Sequence, residues 1–252
     1  MQQVVLMKPF QAIGVARNRQ LIDGVISSLP LFRQVSPRHV AEVASHARTW
    51  EVRRGTAICS RGAHLPGVIA VAYGMVKLAL ARPNGEERVV RFVNAGETFG
   101  EASALFDRPC RVDAGALAHS MLVVIPPRTL LRLLELDPKF ARRMLGVLAE
   151  RVHALLGELE SSVRQRGPQR LACYLQSLAR PGETPDAWHV SLPATKTVVA
   201  SRLGVSKETL SRLLRRFSDQ GLLAISRNDI TILDRERLAR VAAGGGTHDS
   251  SE

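Results

Sequence analysis

The sequence predicts an α+β chain: a small N-terminal antiparallel β-barrel or jelly roll, one long helix, and a C-terminal winged helix-turn-helix. Three observations carry this. Across residues 31–126, short alternating apolar runs are broken by glycine turns, the pattern of a small all-β unit. From Phe140 onward an apolar stripe recurs at three- and four-residue steps for about four heptads. Between Thr195 and Phe217 a helix, a glycine and a second helix follow at the short spacing of a helix-turn-helix.

The bulk properties set the frame. With 252 residues the chain can build two domains, each with its own core, and 45% hydrophobic against 23% charged residues is ordinary for globular proteins. No stretch reaches the roughly 18 apolar residues of a membrane span, and residues 1–30 lack a signal-peptide core, so a soluble, cytoplasmic protein with no membrane partner is expected. The net charge of +12 favours polyanionic partners, but it is spread along the chain and identifies no surface by itself.

In chain order, residues 1–30 read as an N-terminal arm with one short helix near 18–28, and residues 31–136 as the β unit. There, Val68, Ala70 and Ala72 alternate before Gly74. Val76–Ala81 and Arg88–Val93 flank Pro83-Asn84-Gly85-Glu86, and Asn-Gly between two such runs is a hairpin signal. Further strands are expected at 112–118 and 120–125, ended by Pro126-Pro127. Asp137-Pro138 opens the long helix, residues 137–166, with proline in the first turn where its missing N–H costs nothing. Its stripe runs through Phe140, Met144, Val147, Leu148, Arg151, Leu155, Leu159 and Val163. Such a seam needs a partner, either the helix's own barrel or the same helix in a second subunit, and its length favours dimerisation. Gly167-Pro168 closes it. Residues 167–241 form the helix-turn-helix unit, and 242–252, with three consecutive glycines, a disordered tail.

The stretch Thr195–Phe217 is the informative one. Thr195 is a suitable N-cap for a helix over Lys196–Leu203, Gly204 stands where that helix must end in a left-handed conformation, and Ser206 caps the next helix. In that second helix Leu210, Leu213, Leu214 and Phe217 make a buried face, leaving Lys207, Glu208, Ser211, Arg212 and Arg215 outside. Arginine can reach guanine O6 and N7, and glutamate can accept from cytosine N4, so Lys207, Glu208, Ser211 and Arg212 are the candidate base readers. Thr195, Lys196, Arg202, Arg215, Arg216 and Arg227 are candidates for the DNA backbone, which positions the protein without carrying sequence information. A hairpin follows as a wing: Leu222–Ser226, the turn Arg227-Asn228-Asp229, and Ile230–Leu233. A solvated amphipathic helix would carry similar charges, but cap, glycine turn, spacing and hairpin agree on DNA.

With Glu208, Ser211 and Arg212 arranged as Glu-x-x-Ser-Arg in SKETLSRLL, the chain resembles the Crp/Fnr superfamily of bacterial transcription regulators over roughly residues 30–240. It looks most like the Fnr-type and Dnr branches, the latter through ILDRERL (Ile232–Leu238). The resemblance implies a homodimer on an inverted repeat of TTGAT half-sites, RNA polymerase as a partner, and a cyclic-nucleotide-binding-like barrel that senses a signal. It also places a candidate effector pocket at Gly100, Glu101, Arg111, Val112 and Leu155: Phe99-Gly100-Glu101 and Arg111 match the family's anion site. Val112 replaces the hydroxyl residue that follows that arginine, and Leu155 and Leu156 replace the Thr-Ser pair of cyclic-AMP-binding members, so a smaller or apolar effector, or no ligand, is favoured over a cyclic nucleotide. Glu101 and Arg111 could equally form a fold-maintaining salt bridge.

The Dnr likeness brings in haem, with His119 and His153 as candidate ligands. Cys110, beside Arg108 and Arg111, could serve as a redox-sensitive thiol or be an inert loop residue, whereas Cys59 and Cys173 read as small core fillers. No C-x-x-C pair suggests zinc, and the first 24 residues contain no cysteine to anchor an iron–sulfur cluster. Without G-x-S-x-G, P-loop or metal-ligand cluster, an enzyme is not expected. A ligand-binding module acting only through protein partners is the alternative.

Overall fold

The computed structural model describes residues 15–82, 85–181 and 188–244. The chain forms two compact units, Met1–Arg151 and Val152–Glu252.

In the first unit eight strands make two antiparallel four-stranded sheets. The strands are β1 (Arg48–Val52), β2 (Ala57–Cys59), β3 (Val68–Tyr73), β4 (Met75–Ala81), β5 (Glu87–Asn94), β6 (Thr98–Phe99), β7 (Asp113–Ala116) and β8 (Ser120–Ile125). One sheet has the order β1-β8-β3-β6 and the other β2-β7-β4-β5. This is the jelly-roll alternative: the two sheets face each other as an open sandwich rather than a closed barrel. The hairpin expected around Asn84-Gly85 joins β4 to β5, in register from Met75 opposite Asn94 to Ala81 opposite Glu87, with a bulge at Leu78/Ala79. Pro83 and Asn84 themselves lie outside the described residues.

The strands β3 and β8 are buried on both faces, and period-two geometry explains how. Ile69, Val71, Leu122 and Val124 enter the core between the sheets, together with Val76, Val93 and Phe99. Val68, Ala70, Val123 and Ile125 point the other way, into a second core covered by helices. Those helices are α1 (Val15–Ser28), α2 (Pro37–His46), α4 (Pro127–Leu136) and the start of α5 (Pro138–Arg164), with α3 (Glu101–Phe106) between β6 and β7. In the described part of the expected N-terminal arm, Ile22, Ile26 and Leu29 bury themselves in this helical core. The helix α2, inside the segment read as strands, is started by Ser36, whose hydroxyl accepts from the His39 N–H at 3.3 Å, and Pro37 follows in its first turn.

The long helix begins as expected. Asp137 Oδ1 accepts from the Lys139 and Phe140 N–H groups at 2.9 and 3.1 Å. Its apolar stripe, however, is split. Phe140 and Met144 are buried in the first unit's own core, with Val147 and Leu148 packed against it. Arg151 is held by an ion pair within the same unit. These five stripe positions are thus covered by the unit itself, because an apolar edge packs on whatever lies nearest. The exposed apolar edge keeps Leu155 and Leu159 of the expected stripe and adds Leu145, Val152 and Leu156, all 56–68% exposed. The side chain of Val163 lies outside the described residues.

In the second unit, α6 (Gly167–Leu178), α7 (Lys196–Leu203), α8 (Lys207–Asp219) and α9 (Arg235–Ala242) pack with β9 (Arg180–Pro181), β10 (Trp188–Ser191), β11 (Leu223–Ser226) and β12 (Asp229–Ile232). The sheet order is β11-β12-β10-β9. Its core gathers Leu171, Leu175, Val199, Leu203, Leu210, Leu214, Phe217, Ile230 and Leu238. The helix α9 was not expected; Asp234 caps it, accepting from the Arg237 N–H at 2.8 Å. Most of the expected tail, residues 245–252, lies outside the described residues. Among the described residues, no helix is long and apolar enough to cross a membrane.

Candidate nucleic-acid interface and apolar pocket

In the second unit, α7 ends at Gly204, whose φ of 70° and ψ of 34° are left-handed, which glycine adopts without steric cost. The helix α8 then starts at Ser206, whose Oγ accepts from the Thr209 N–H at 3.1 Å. The Ser206 hydroxyl also lies 3.0 Å from Thr209 Oγ1, and Arg212 Nη2 donates to that same oxygen at 3.3 Å. Thr209, not singled out from the sequence, therefore links the cap to one of the candidate base readers. Its position three residues after the cap was the available signal.

Leu210, Leu214 and Phe217 are buried beneath α8 and Leu213 is packed against the same core. Lys207, Glu208, Ser211, Arg212, Arg215 and Arg216 are exposed. Glu208 in the first turn is held below the usual carboxylate range, by its own backbone N–H, then by the Ser206 hydroxyl and the Lys207 and Arg212 charges. Arg215 reaches Asp219 at 3.9 Å, a loose surface pair that leaves its guanidinium available.

The surrounding cations are less uniform. Thr195 is the N-cap of α7 by backbone alone: its side chain makes no capping bond. Lys196 and Arg202 are half-buried rather than fully exposed. Arg202 lies beside Tyr174, whose hydroxyl burial pushes up to about 12. The wing turn is shorter than expected, because Ser226 pairs with Asp229 and only Arg227 and Asn228 remain in it. Arg227 sits there at a φ of +56°, a region that non-glycine residues enter at a cost.

The first unit holds a separate feature. A cavity of about 280 Å³ is lined by Gly100, Glu101, Arg111 and Val112, and by Cys59, Leu65, Leu78, Phe99 and Cys110 among others. Four of the five expected pocket residues are thus brought together, while Leu155 belongs to the second unit and is not in the lining. Gly100 has a φ of +85°, where any other residue is strained, and an added Cβ would push the tip of the Leu65 side chain aside. Glu101 does not pair with Arg111. It is buried, accepts from the Thr98 hydroxyl three residues earlier at 2.5 Å and is bridged at 2.6 Å by Arg151, a partner not anticipated from sequence because it comes from a distant element. Arg111 is exposed, with no ion pair among the described residues.

Comparison with known proteins decides the family. A Crp-like helix-turn-helix domain model matches residues 169–241, and a cyclic nucleotide-binding domain model matches residues 49–137. A CRP-like cAMP-activated global transcriptional regulator of Mycobacterium tuberculosis is 26% identical over 224 residues, which are 88% of this chain and 100% of that one. The fumarate and nitrate reduction regulatory protein of Escherichia coli is 27% identical over 196 residues, covering 76% and 77%. A solved candidate cyclic nucleotide binding protein from Ruegeria pomeroyi is 30% identical, covers 89% of this chain and 98% of that chain, and superposes with a TM-score of 0.55.

The chain belongs to the Crp/Fnr superfamily. It is therefore a transcription regulator, with a helix-turn-helix DNA-binding domain and a sensory domain of the cyclic nucleotide-binding type. Against this background the haem expectation does not fit the residues present. His119 is exposed and stacked edge-on against Tyr73 at 5.7 Å, His153 is exposed in the second unit, and neither lines the cavity. Haem needs an axial ligand inside an apolar pocket.

Proposed function

We propose that this regulator works in the cytoplasm as a homodimer that reads an inverted-repeat operator, under the control of a small signal held in the cavity of its sensory unit. In this reading residues 31–136 sense, 137–166 dimerise and 167–241 bind DNA, with RNA polymerase as a further partner. One observation carries it: Lys207, Glu208, Ser211 and Arg212 stand exposed on α8 above the buried Leu210, Leu214 and Phe217, behind a formed cap and glycine turn. Such a face supplies both donors and an acceptor to a major groove. Exposed Leu145, Val152, Leu155 and Leu156 on α5 supply the apolar edge for a second copy.

The Mycobacterium tuberculosis relative is described as cAMP-activated. Here Val112 offers no hydroxyl, Glu101 is already engaged by Arg151, and about 280 Å³ lies at the lower edge of ordinary ligand pockets. These features favour an effector smaller and more apolar than a cyclic nucleotide.

The test is a gel-shift titration on duplexes carrying an inverted repeat of TTGAT, one half-site alone, or a scrambled sequence. The expected result is two copies per inverted-repeat duplex, with recognition helices about 34 Å apart, and strong preference for that duplex. One copy per duplex, or equal affinity for all three, refutes the reading.

A further inference from the structure

The cavity brings together two cysteines that lie far apart in sequence. Cys59 ends β2 and is 7% exposed, while Cys110 lies in the loop before β7. That loop is fastened to the segment after β2 by backbone bonds: Cys110 N–H to the Ala63 carbonyl and Gly62 N–H to the Cys110 carbonyl, both 2.8 Å. Both thiols line the same cavity, beside Leu65, Phe99 and Val112, and the Cys59 thiol lies 3.4 Å from the Ser60 carbonyl. Cys110 Sγ also lies 3.5 Å from Ser103 Oγ.

We propose that Cys59 and Cys110 form a redox site in which a small organic hydroperoxide, received by the apolar cavity, oxidises the pair to a disulfide. Cys110 is the attacking group. The Cys59 thiol, then the Ser103 hydroxyl and the nearby His64, hold its thiol below the ordinary cysteine range against the opposing effect of burial, which favours the thiolate. Cys59 keeps its proton, its thiol being pushed well up by the Cys110 thiol and by burial.

In the first step the Cys110 thiolate attacks the terminal peroxide oxygen. An S–O bond forms, the O–O bond breaks, and the leaving alkoxide takes a proton from solvent to become the alcohol. Cys110 is now a sulfenic acid. In the second step Cys59 passes its proton to the sulfenic hydroxyl and its sulfur, now thiolate, attacks the Cys110 sulfur; the S–S bond forms, the S–O bond breaks and water leaves. Dithiol and hydroperoxide thus become disulfide, alcohol and water. The backbone bonds from Cys110 to Gly62 and Ala63 hold the two cysteines on adjacent segments of one cavity wall, where an S–S bond of about 2.05 Å can close. In a reducing compartment such a bond is transient, as a signal requires. It would tie β2 to the loop before β7 and alter the cavity wall.

The inference rests on reading the first unit as the sensory one. The test uses no DNA, so its failure is distinguishable from failure of operator binding. The reduced full-length protein is mixed with one equivalent of cumene hydroperoxide or of hydrogen peroxide, and followed by intact mass and peptide mapping. The expected result is loss of two hydrogens, a Cys59–Cys110 linked peptide, faster reaction with cumene hydroperoxide, and unchanged behaviour in Cys173→Ser. In Cys59→Ser, dimedone should label Cys110. Unreacted wild-type thiols, a disulfide through Cys173, or reaction with cumene hydroperoxide no faster than with hydrogen peroxide overturns the proposal.

Discussion

Arg151 on the long helix bridges Glu101 at the start of α3 at 2.6 Å, and the same guanidinium reaches the Thr98 carbonyl and hydroxyl at 2.7 and 2.9 Å. The two side chains are 21% and 8% exposed, so this is a largely desolvated pair that fastens α5 to the cavity wall within one unit. Removing one partner strands the other's charge. Glu101→Gln should cost on the order of 3 kcal/mol in urea unfolding of the full chain, while Glu101→Gln with Arg151→Met should recover much of it. Equal losses in the single and double variants would show that the pair does not act as a unit.

The split stripe on α5 makes a second prediction. Leu156→Glu should leave thermal stability within about 0.5 kcal/mol of wild type, because the side chain is 57% exposed, yet shift the protein to monomer in sedimentation. Phe140→Ala should instead cost about 3–5 kcal/mol, since that ring is fully buried and stacked 5.2 Å from Phe32.

The contrast along α5 also shows what was legible beforehand. Periodicity marks Phe140 and Leu155 alike as apolar positions of one helix, but says nothing of which neighbour covers each. The recognition helix was readable because its signals are local: Ser206, Gly204 and the Leu210–Phe217 spacing lie within a few residues of one another. Capping signals also stood at Ser36-Pro37 and Asp234, but α2 carries a short apolar face inside a segment read as strands, and α9 follows the hairpin with only Leu238 and Val241 buried. Four residues of the cavity were found through a local motif, whereas Arg151 against Glu101 and Cys59 against Cys110 are pairings across distant elements, which composition and spacing do not encode.

Arg227 at the wing tip holds a left-handed backbone at a φ of +56°. Arg227→Gly should therefore raise the stability by about 1 kcal/mol while weakening DNA binding similarly for all sequences and lowering its salt dependence. A stability loss would mean that the side chain, not the backbone, governs the turn.

Cys110 should be alkylated by iodoacetamide at a rate that rises with pH through a midpoint of about 6, since only the thiolate reacts. Around the pair, His64 favours the Cys110 thiolate and Asp113 opposes that of Cys59, while Arg108 and Arg111 line the same cavity and Asp107 faces His64 at 4.0 Å. Cys59→Ser should move the midpoint up toward the ordinary cysteine value of about 8.5 if the Cys59 thiol is the largest cause. An unmoved midpoint would assign the effect to the surrounding charges instead.

The direct measurement for the DNA face is the affinity of wild type, Arg212→Ala and Lys196→Ala for a panel of operators, each substituted at one symmetric pair of base pairs. Arg212→Ala should lose about 1–3 kcal/mol at the cognate operator and become indifferent to one position, whereas Lys196→Ala should weaken every operator alike. A uniform loss for Arg212→Ala, with discrimination intact at every position, would contradict the assignment of Lys207, Glu208, Ser211 and Arg212 as the side chains that read the bases.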